Sequence, residues 1–449
     1  MNYFRKMLAV LLVLCVLPVT ALGSQQLPVQ PGHKVTLTQL GSRQANGSDI
    51  YWWDIQTVQD AVDAELNGIA KAYLDAVSPM VKKPAKDATS RLDVSIRHSR
   101  TGINWLSFMV QSRYVHNGNT MDVRFTTRTY DMETGARLML TDIFPEGSEA
   151  WPMLESAVRE GIHRYFGAQQ PDAAALEAAC TREAIQQMDF TLHGMSLVLH
   201  LHAGDFYPGK QQLIEVTLYY PDIRPMMTDK AQYETDNLAY YNTIALTYDD
   251  GPNGWVTRDM LNVLLEKGER ATFFVVGNRI KKYASYVLRE HDEGHTVATH
   301  NYDHVIANEV KESKLISLAQ KARDIHRETI GIEPTIARAP GGVWKPMANA
   351  ALGWPLIQWS SQGTDWEGPQ GRDPKAVLAQ VLSGVEDGAI ILMHDMKKNS
   401  ITSSEMIIDR LQGDGYIFLT VEELFAKDGV VLQPDAAYWR CQDGVTTDN

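Results

Sequence analysis

Two aspartates, Asp249 and Asp250, stand side by side at the end of the apolar run "TIALTY" and directly before a Gly-Pro pair. Adjacent carboxylates repel each other, so their position needs a reason. A turn is the simple one, because Asp and Gly-Pro both favour turns. Catalysis is the other reason, since one carboxylate can bind a cation while its neighbour accepts a proton from water.

Further polar side chains stand at or just after the ends of apolar runs, at His300, His304, Arg338, Asp365 and His394. Each of them, taken alone, has an ordinary interpretation as a loop residue, a brace or part of a structural ion pair. Their common position after successive runs is hard to explain by packing. In α/β sheets and barrels, active sites form at the carboxyl ends of the strands.

The residue types indicate a metal-assisted hydrolase of an amide or ester. His300, His304 and one carboxylate of the Asp pair make a three-ligand site that leaves a position for water. Zn²⁺ is the first choice of metal, and Co²⁺ or Ni²⁺ also accept such ligands. The other aspartate would act as a base, and His394 would protonate a leaving group. Asp365 would favour the charged form of that histidine, and Arg338 would orient the base.

The elements that must position these residues are seven short apolar runs: "TIALTYD", "ATFFVVG", "HTVATH", "TIARA", "PLIQWS", "AIILMHD" and "YIFLT". Helical patterns, often ended by Gly, separate most of them. This alternation predicts an α/β domain in which helices cover a parallel sheet. The number of runs predicts a (β/α) barrel of about seven strands, and an open doubly wound sheet is the alternative.

The chain is predicted to carry a signal peptide and two domains. Residues 1–23 combine a basic start, a short apolar stretch and small residues before Ser24, which favours cleavage over a membrane anchor. After it we expect a linker at 24–50, an N-terminal α+β domain at 51–227, a second linker at 228–242, the catalytic domain at 243–427 and a tail at 428–449 that wraps over the surface.

The net charge and the cysteines of the chain bear on its cellular location and on the classes of partner that it could bind. The formal charge of the chain is −13, and cleavage after residue 23 would remove two basic residues and leave −15. An acidic, exported chain is a poor candidate for nucleic-acid binding or for stable membrane insertion after cleavage. We expect it in the periplasm or outside the cell, in a bacterial envelope. Cys180 and Cys441 would remain, either paired or as free thiols.

Residues from about 243 to 425 resemble the NodB-like polysaccharide deacetylases, carbohydrate esterase family 4. Five ordered motifs carry the resemblance: "TYDDGP" at 247–252, "HNYDH" at 300–304, "RAPGG" at 338–342, "TDWEG" at 364–368 and "LMHD" at 392–395. The resemblance implies a distorted (β/α) barrel and the hydrolysis of N-acetyl groups on a hexosamine polymer, which releases acetate and a free amine.

The resemblance also assigns the two aspartates. Asp249 matches the catalytic base of the family, which would act on a metal-activated water. Asp250 matches the metal ligand, together with His300 and His304.

The remaining roles come from the later motifs. His394 matches the catalytic acid. Arg338 and Asp365 match residues that hold and tune the base and the acid. The backbone N–H of Gly341 would help to hold the tetrahedral oxyanion.

Four positions depart from the pattern of the family: Tyr248 stands for the usual Phe, Asn301 for Ser or Thr, Gly341 for Tyr and Gln362 for a common Asp. None of them removes a ligand, the base or the acid. They bear on the preference for substrate, and the missing side chain at Gly341 would open the substrate groove.

The N-terminal region resembles a small exported domain found in some bacterial wall deacetylases and anti-sigma factors, through "YDMETGARLMLTDIF" and "GMSLVLHLHAGDFYPG". This likeness predicts an association with the cell wall or a partner, and it favours peptidoglycan as the N-acetylated glycan substrate. Chitin oligomers and poly-N-acetylglucosamine are the alternative substrates. A catalytically silent glycan-binding protein is the alternative of another class.

Overall fold

The computed structural model describes residues 35–86, 90–236, 241–331, 333–343, 353–434 and 436–441, without the side chains of residues 42–44. The predicted signal peptide and the end of the chain lie outside these ranges. The N-terminal half contains β1 (Thr36–Ala45), β2 (Ser48–Gln56), α1 (Asp60–Val77), β3 (Ser90–Thr101), β4 (Trp105–His116), β5 (Asn119–Asp131), β6 (Ala136–Leu138), α2 (Leu140–Ile143), α3 (Ala150–Phe166), α4 (Ala173–Ala179), α5 (Arg182–Gln186), β7 (Asp189–Leu192), β8 (Ser196–His202), β9 (Leu213–Tyr219), α6 (Tyr220–Ile223) and α7 (Asp229–Glu234).

The N-terminal domain is built on two sheets. One has six strands in the order β1-β2-β3-β4-β5-β6, and the other has three in the order β7-β8-β9. Apolar residues at helical spacing, including Val62, Leu66 and Ala70, seat α1 on one face of the larger sheet. A hairpin turn at Asn117-Gly118 joins β4 and β5, and both turn residues have positive φ.

Both predicted linkers contain regular structure. Residues 24–50 include β1 and the start of β2, which pair in an antiparallel hairpin around Asn46-Gly47. The N-terminal domain therefore begins well before residue 51. The linker prediction failed because β1 buries few apolar side chains apart from Leu37, so it carries no apolar run. Residues 228–242 include α7, a helix of six residues that is too short for a clear period.

The C-terminal half contains β10 (Asn242–Asp249), α8 (Gly254–Lys267), β11 (Thr272–Val275), α9 (Gly277–Ile280), α10 (Ala284–Asp292), β12 (Thr296–Thr299), α11 (Glu312–Ile330), β13 (Leu356–Ile357), β14 (Ser361–Gln362), α12 (Pro374–Leu382), β15 (Ala389–His394), α13 (Lys398–Gly413), β16 (Tyr416–Leu419), α14 (Val421–Ala426) and β17 (Ala437–Tyr438). Strands and helices alternate as the sequence predicts.

The predicted barrel is confirmed, in a distorted form. Parallel pairing runs from β14 through β15, β10 and β11 to β12. Single parallel bridges then join Thr299 to Ala337 and Ala337 to Leu356. Because β13 and β14 follow each other within residues 356–362, the ring closes. β16 pairs with the first half of β10, so all seven apolar runs contribute to the wall.

The segment after Lys427, expected to wrap over the surface, contributes to the core. Its strand β17 pairs with β13, and Tyr438 and Cys441 are almost fully buried against the barrel. Cys180 is buried in the N-terminal domain, and both thiols are free. No helix of the described ranges is long and apolar enough to cross a membrane.

Helix α10 of the barrel contacts the N-terminal domain through buried charged side chains. Its last residues and the residue that follows, 289–293, read "REHDE", and all five are buried. The guanidinium of Arg113 on β4 contacts the carboxylate of Asp292 in a buried ion pair. Arg289 donates to Glu293 within the helix end. The N-terminal sheet therefore covers charged groups that would otherwise face water.

Candidate active site

Asp249 is the last residue of β10, which lies between β15 on one side and β11 and β16 on the other. The residue is 3% exposed and lies at the carboxyl end of the barrel. Oδ1 accepts a hydrogen bond of 2.8 Å from Nη1 of Arg338. Oδ2 lies 3.7 Å from Nε2 of His300, so this second oxygen faces the histidines.

Asp250 turns the other way because its backbone is left-handed, with φ of 74°. Oδ1 lies 3.0 Å from Nε2 of His304 and 3.5 Å from Nε2 of His300. Although it is buried, this oxygen accepts no hydrogen bond of ordinary geometry in the described part of the chain. Burial opposes its ionisation, but the contact with His304 and the nearby histidines outweigh that effect and lower the pKa of Asp250 to about 2.

Asp250, His300 and His304 form a cluster that could hold a metal ion. One potential ligand atom from each lies within 4.8 Å of the others, and no second such cluster of His, Cys, Asp or Glu occurs in the described residues. His300 directs Nδ1 to the carbonyl of Arg338 at 2.9 Å. Nδ1 therefore carries the proton, which leaves the lone pair of Nε2 for a cation.

Residues 300–304 form a loop and not a helical turn. Asn301 and His304 both have positive φ, of 66° and 59°. Oδ1 of Asn301 accepts from the N–H of Tyr302, and Asn adopts a left-handed backbone more readily than most residues. With Asp250, two of the three possible ligands have uncommon backbone conformations, a feature that clusters at functional sites.

Arg338 follows the single-residue bridge at Ala337 and is 1% exposed. Nε and Nη2 donate to the carbonyls of Ile357 and Gln358, at 2.9 and 3.0 Å. Nη1 donates to Thr247 and Asp249, at 2.7 and 2.8 Å. The guanidinium is thus held on three sides and presents its charge to one carboxylate oxygen.

His394 ends β15 and is paired with a fully buried carboxylate. Nδ1 lies 2.9 Å from Oδ1 of Asp365, whose Oδ2 accepts from the N–H of His394 and the hydroxyl of Ser400. Burial disfavours the imidazolium, but the hydrogen bond and charge of Asp365 outweigh it and raise the pKa of His394 above its ordinary value. The half-exposed ring of Trp366 packs edge-on against His394, with 4.8 Å between ring centroids.

Gly341 lies in the loop after Arg338, with φ of 63° and ψ of 14°. A Cβ there would lie 3.2 Å from Cδ1 of Ile306, two residues beyond His304. The loop thus packs beside the histidine loop, and a side chain at this position would have to occupy a left-handed backbone.

Three supporting residues received no role from the sequence. Thr247 accepts a hydrogen bond from Arg338, and Ser400 donates one to Asp365. Nothing in the sequence around either residue indicates such a contact. Asp395 accepts from the hydroxyl of Thr257 and lies against Gly251, where an added Cβ would overlap its carboxylate. Burial raises the pKa of Asp395 to about 7. Its place next to His394 in "LMHD" was the available signal.

The sequence of residues 240–353 matches the family model for polysaccharide deacetylase. The peptidoglycan-N-acetylmuramic acid deacetylase PdaC of Bacillus subtilis is 30% identical over 337 residues, which cover 70% of this chain and 70% of that protein. The chain belongs to the polysaccharide deacetylase family. It is a deacetylase of the hydrolase class, and the predicted resemblance of the C-terminal region to polysaccharide deacetylases is confirmed.

The chain is also similar to a second curated relative and to a solved structure. The peptidoglycan-N-acetylglucosamine deacetylase PgdA of Listeria monocytogenes (strain 10403S) is 29% identical over 330 residues, which cover 71% of this chain and 69% of that protein. A structure of Bacillus subtilis PdaC is 30% identical and covers 41% of this chain and 91% of its own, with a TM-score of 0.40. Deacetylases of this family are metal-dependent, in keeping with the cluster of Asp250, His300 and His304.

Proposed function

We propose that the chain removes N-acetyl groups from N-acetylhexosamine polymers of the bacterial envelope, with peptidoglycan as the substrate. The observation that carries the proposal is the grouping of a metal-type cluster, a held carboxylate and a carboxylate-bound imidazole at one end of the barrel. The substrate is supported by two relatives, PgdA and PdaC, which are named peptidoglycan deacetylases.

The donor set fits a divalent transition metal. Two imidazole nitrogens and one carboxylate oxygen suit Zn²⁺, and Co²⁺ or Ni²⁺ are the alternatives. Oδ1 of Asp250 is a buried acceptor without a hydrogen bond of ordinary geometry in the described residues, as expected of a metal ligand. When bound, the cation supplies a Lewis acid that polarises the acetyl carbonyl and lowers the pKa of water.

Asp249 is the base in this proposal. Arg338 holds Oδ1, so Oδ2 is the atom that takes a proton from the attacking water. The buried guanidinium also stabilises the ionised carboxylate before the proton arrives. Because the carboxylate is already oriented, no free energy is needed to reorient it when the substrate binds.

His394 is the acid, and it acts at the nitrogen of the amide. Asp365 engages Nδ1, so Nε2 is the atom that donates a proton to the leaving amine. Water adds to the acetyl carbon, the C–N bond breaks, and acetate and a free amine leave. The N–H of Gly341 contributes a hydrogen bond to the oxyanion, and the absence of a side chain avoids a close contact of 3.2 Å with Ile306.

The location and the N-terminal domain complete the proposal. A signal peptide at residues 1–23 directs export to the periplasm or the outside of the cell. The N-terminal domain associates with the wall or with a partner there. The domain is not a loosely tethered module, because its strand β4 forms the buried pair of Arg113 with Asp292 of the barrel.

A substrate panel tests the function. The mature protein, loaded with zinc, is incubated with peptidoglycan, chitin oligomers and poly-N-acetylglucosamine, and each product is weighed by mass spectrometry. We expect a loss of 42 Da per acetyl group, roughly the mass of C₂H₂O, greatest on peptidoglycan and abolished by a chelator. A greater mass loss on chitin oligomers or poly-N-acetylglucosamine would make that glycan the substrate in place of peptidoglycan. Glycan binding without any mass loss, despite bound metal, would favour the silent binding protein.

A further inference from the structure

A cavity of about 1130 Å³ lies between the N-terminal domain and the barrel. Its wall combines β3, β7, β8 and β9 with the residues that precede β11 and β12. These are the amino ends of the barrel strands, whereas Asp249 and His394 stand at the carboxyl ends. The cavity is therefore separate from the active site, and its size suits a small molecule more than a single ion.

Polar nitrogens without partners face this cavity. Nε of Arg97, Nδ1 of His193, Nε2 of His291 and Nε2 of His295 are buried and have no hydrogen-bond partner in the described ranges. His291 and His295 are 8% and 5% exposed. In His295, Nδ1 accepts from the N–H of Ala271 at 3.1 Å, so Nε2 carries the proton and is a donor without an acceptor.

The acceptors of the same wall are already occupied. Each buried or partly buried carboxylate has a protein partner: Glu215 with His200, Glu269 with Gln412, Glu293 with Arg289, Glu422 with Thr296 and Thr335, and Glu423 with Arg270 and Ser196. The buried polar atoms of this wall that lack partners in the described residues are therefore nitrogens, which is the pattern that an oxygen anion would satisfy.

Two arginines meet at one corner of the cavity. A Cβ added at Gly294 would lie 3.2 Å from Cδ of Arg270 and 3.5 Å from Nη1 of Arg97. Arg270 is neutralised by Glu423 at 2.6 Å. Arg97 forms no ion pair within 4.0 Å in the described part of the chain, and Glu215 and Glu293 act on its charge only from a greater distance.

We propose that this cavity binds a small molecule through a carboxylate group, which Arg97, His295 and His193 would contact. A carboxylate can accept from several of these nitrogens, and it brings less negative charge out of water than a phosphate, which is nearly a dianion at neutral pH. The rest of the molecule would lie against apolar residues of the wall such as Met109, Leu213 and Leu264. This inference does not depend on the proposed deacetylase activity.

The local electrostatics agree with an anion. Burial and the charges of Arg97, Arg270 and Arg289 hold the pKa of His295 well below its ordinary value. Burial, Arg270, His200 and Arg97 do the same for His193. Both rings are therefore neutral hydrogen-bonding groups in a positive field. A metal is the poorer fit, because these histidines do not form a three-ligand cluster in the described residues.

Calorimetric titration of the mature protein tests the carboxylate site. A chelator is present throughout, so that no carboxylate binds a metal at Asp250. The probes are butyrate, its uncharged analogue butyramide, and inorganic phosphate. We expect butyrate to bind saturably at one site, butyramide not to bind, and phosphate to bind at least about tenfold more weakly than butyrate. Absence of butyrate binding, equal binding of butyramide, or tighter binding of phosphate would overturn the proposal.

Matched variants locate the site. Arg97→Gln should weaken butyrate binding about tenfold or more, because a charged hydrogen bond is lost. Arg97→Lys keeps the charge and should bind within a few-fold of the parent. Arg128→Gln removes a surface pair with Glu65 on the same sheet and should bind as the parent does. Unchanged affinity in Arg97→Gln would contradict the assignment.

Hydrogen exchange locates the site without a variant, which matters if Arg97→Gln does not fold. Butyrate should slow exchange of amides on β3 and β7 and in the segment 291–296. Protection confined to the loop at residues 300–304 would place the carboxylate at the metal cluster and would overturn the inference.

Discussion

Asp249 and His394 are register partners on adjacent parallel strands, the last residue of β10 beside the last residue of β15. The base and the acid of the proposed reaction therefore start from the same level of the barrel wall. Each contacts one buried side chain of opposite charge: the carboxylate of Asp249 contacts Arg338, and the imidazole of His394 contacts Asp365. The pairing of two strands thus sets the spacing of the two groups that exchange protons with the substrate.

Arg338 should matter for both stability and activity. In Arg338→Gln, the buried carboxylate of Asp249 loses its cation, which should lower the free energy of unfolding by about 3–5 kcal/mol. The base would also lose its fixed orientation, so acetate release should fall by about a hundredfold or more. Denaturant unfolding and a coupled acetate assay measure the two effects.

Arg289→Gln is the matched control, because it breaks another buried pair of the same barrel, with Glu293. It should be comparably destabilising, yet each folded molecule should keep its activity. Activity of Arg338→Gln within about tenfold of the parent would contradict the role of the guanidinium.

The pH profile should depend on Asp365. His394 must be protonated to act as an acid, and Asp365 raises its pKa, so activity persists as the pH rises until that raised value is passed. In Asp365→Asn the charge is lost, the pKa of His394 falls, and the alkaline limb of the kcat profile should move to lower pH. Kinetics across a pH series give this result directly.

Asp387→Asn serves as the comparison for that profile. Asp387 accepts hydrogen bonds from Thr243 at the opposite end of β10, so its loss should leave the alkaline limb in place. An identical profile for Asp365→Asn and the parent would show that His394 is not the group that titrates.

Metal binding should need His304. The side chain is 42% exposed, so His304→Ala should fold, yet one of three ligands is gone. After dialysis, the metal content measured by mass spectrometry should fall from about one ion per chain to near zero. His116→Ala, in the hairpin of the N-terminal domain, should keep its metal. Full occupancy of His304→Ala would remove this residue from the site.

The ion pair of Arg113 with Asp292 should couple the two domains. Arg113→Leu leaves Asp292 buried without its cation and should cost about 3–5 kcal/mol in unfolding free energy. The double variant Arg113→Leu with Asp292→Leu should recover part of that loss, because no charge is left unpaired. Additive losses in the double variant would show that the pair does not couple.

The barrel and its active end were predictable because polar side chains interrupt apolar runs at fixed places. Asp249 and His394 end β10 and β15, and the run before each is buried. The run "TIARA" supplies only a bridge at Ala337, since Pro334 and Pro340 near its ends cannot donate to a ladder. The apolar character of this run therefore did not reveal that it would form a single bridge and not a strand.

Long-range contacts were the part that the sequence could not reveal. Ser400 meets Asp365 across 35 residues, and Arg338 meets Thr247 across 91. Serine and threonine are too common to signal such contacts. The hairpin of β1 was missed for a related reason, because an edge strand with polar side chains resembles a linker until its partner is known.

Acetate release by matched proteins tests the central claim most directly. Zinc-loaded parent, Asp249→Asn and His394→Ala are assayed on N-acetylated peptidoglycan, with metal content measured in each sample. We expect acetate and free amine in equal amounts from the parent, and losses of at least about a hundredfold in both variants with the metal still bound. Equal rates for the parent and either variant would contradict it.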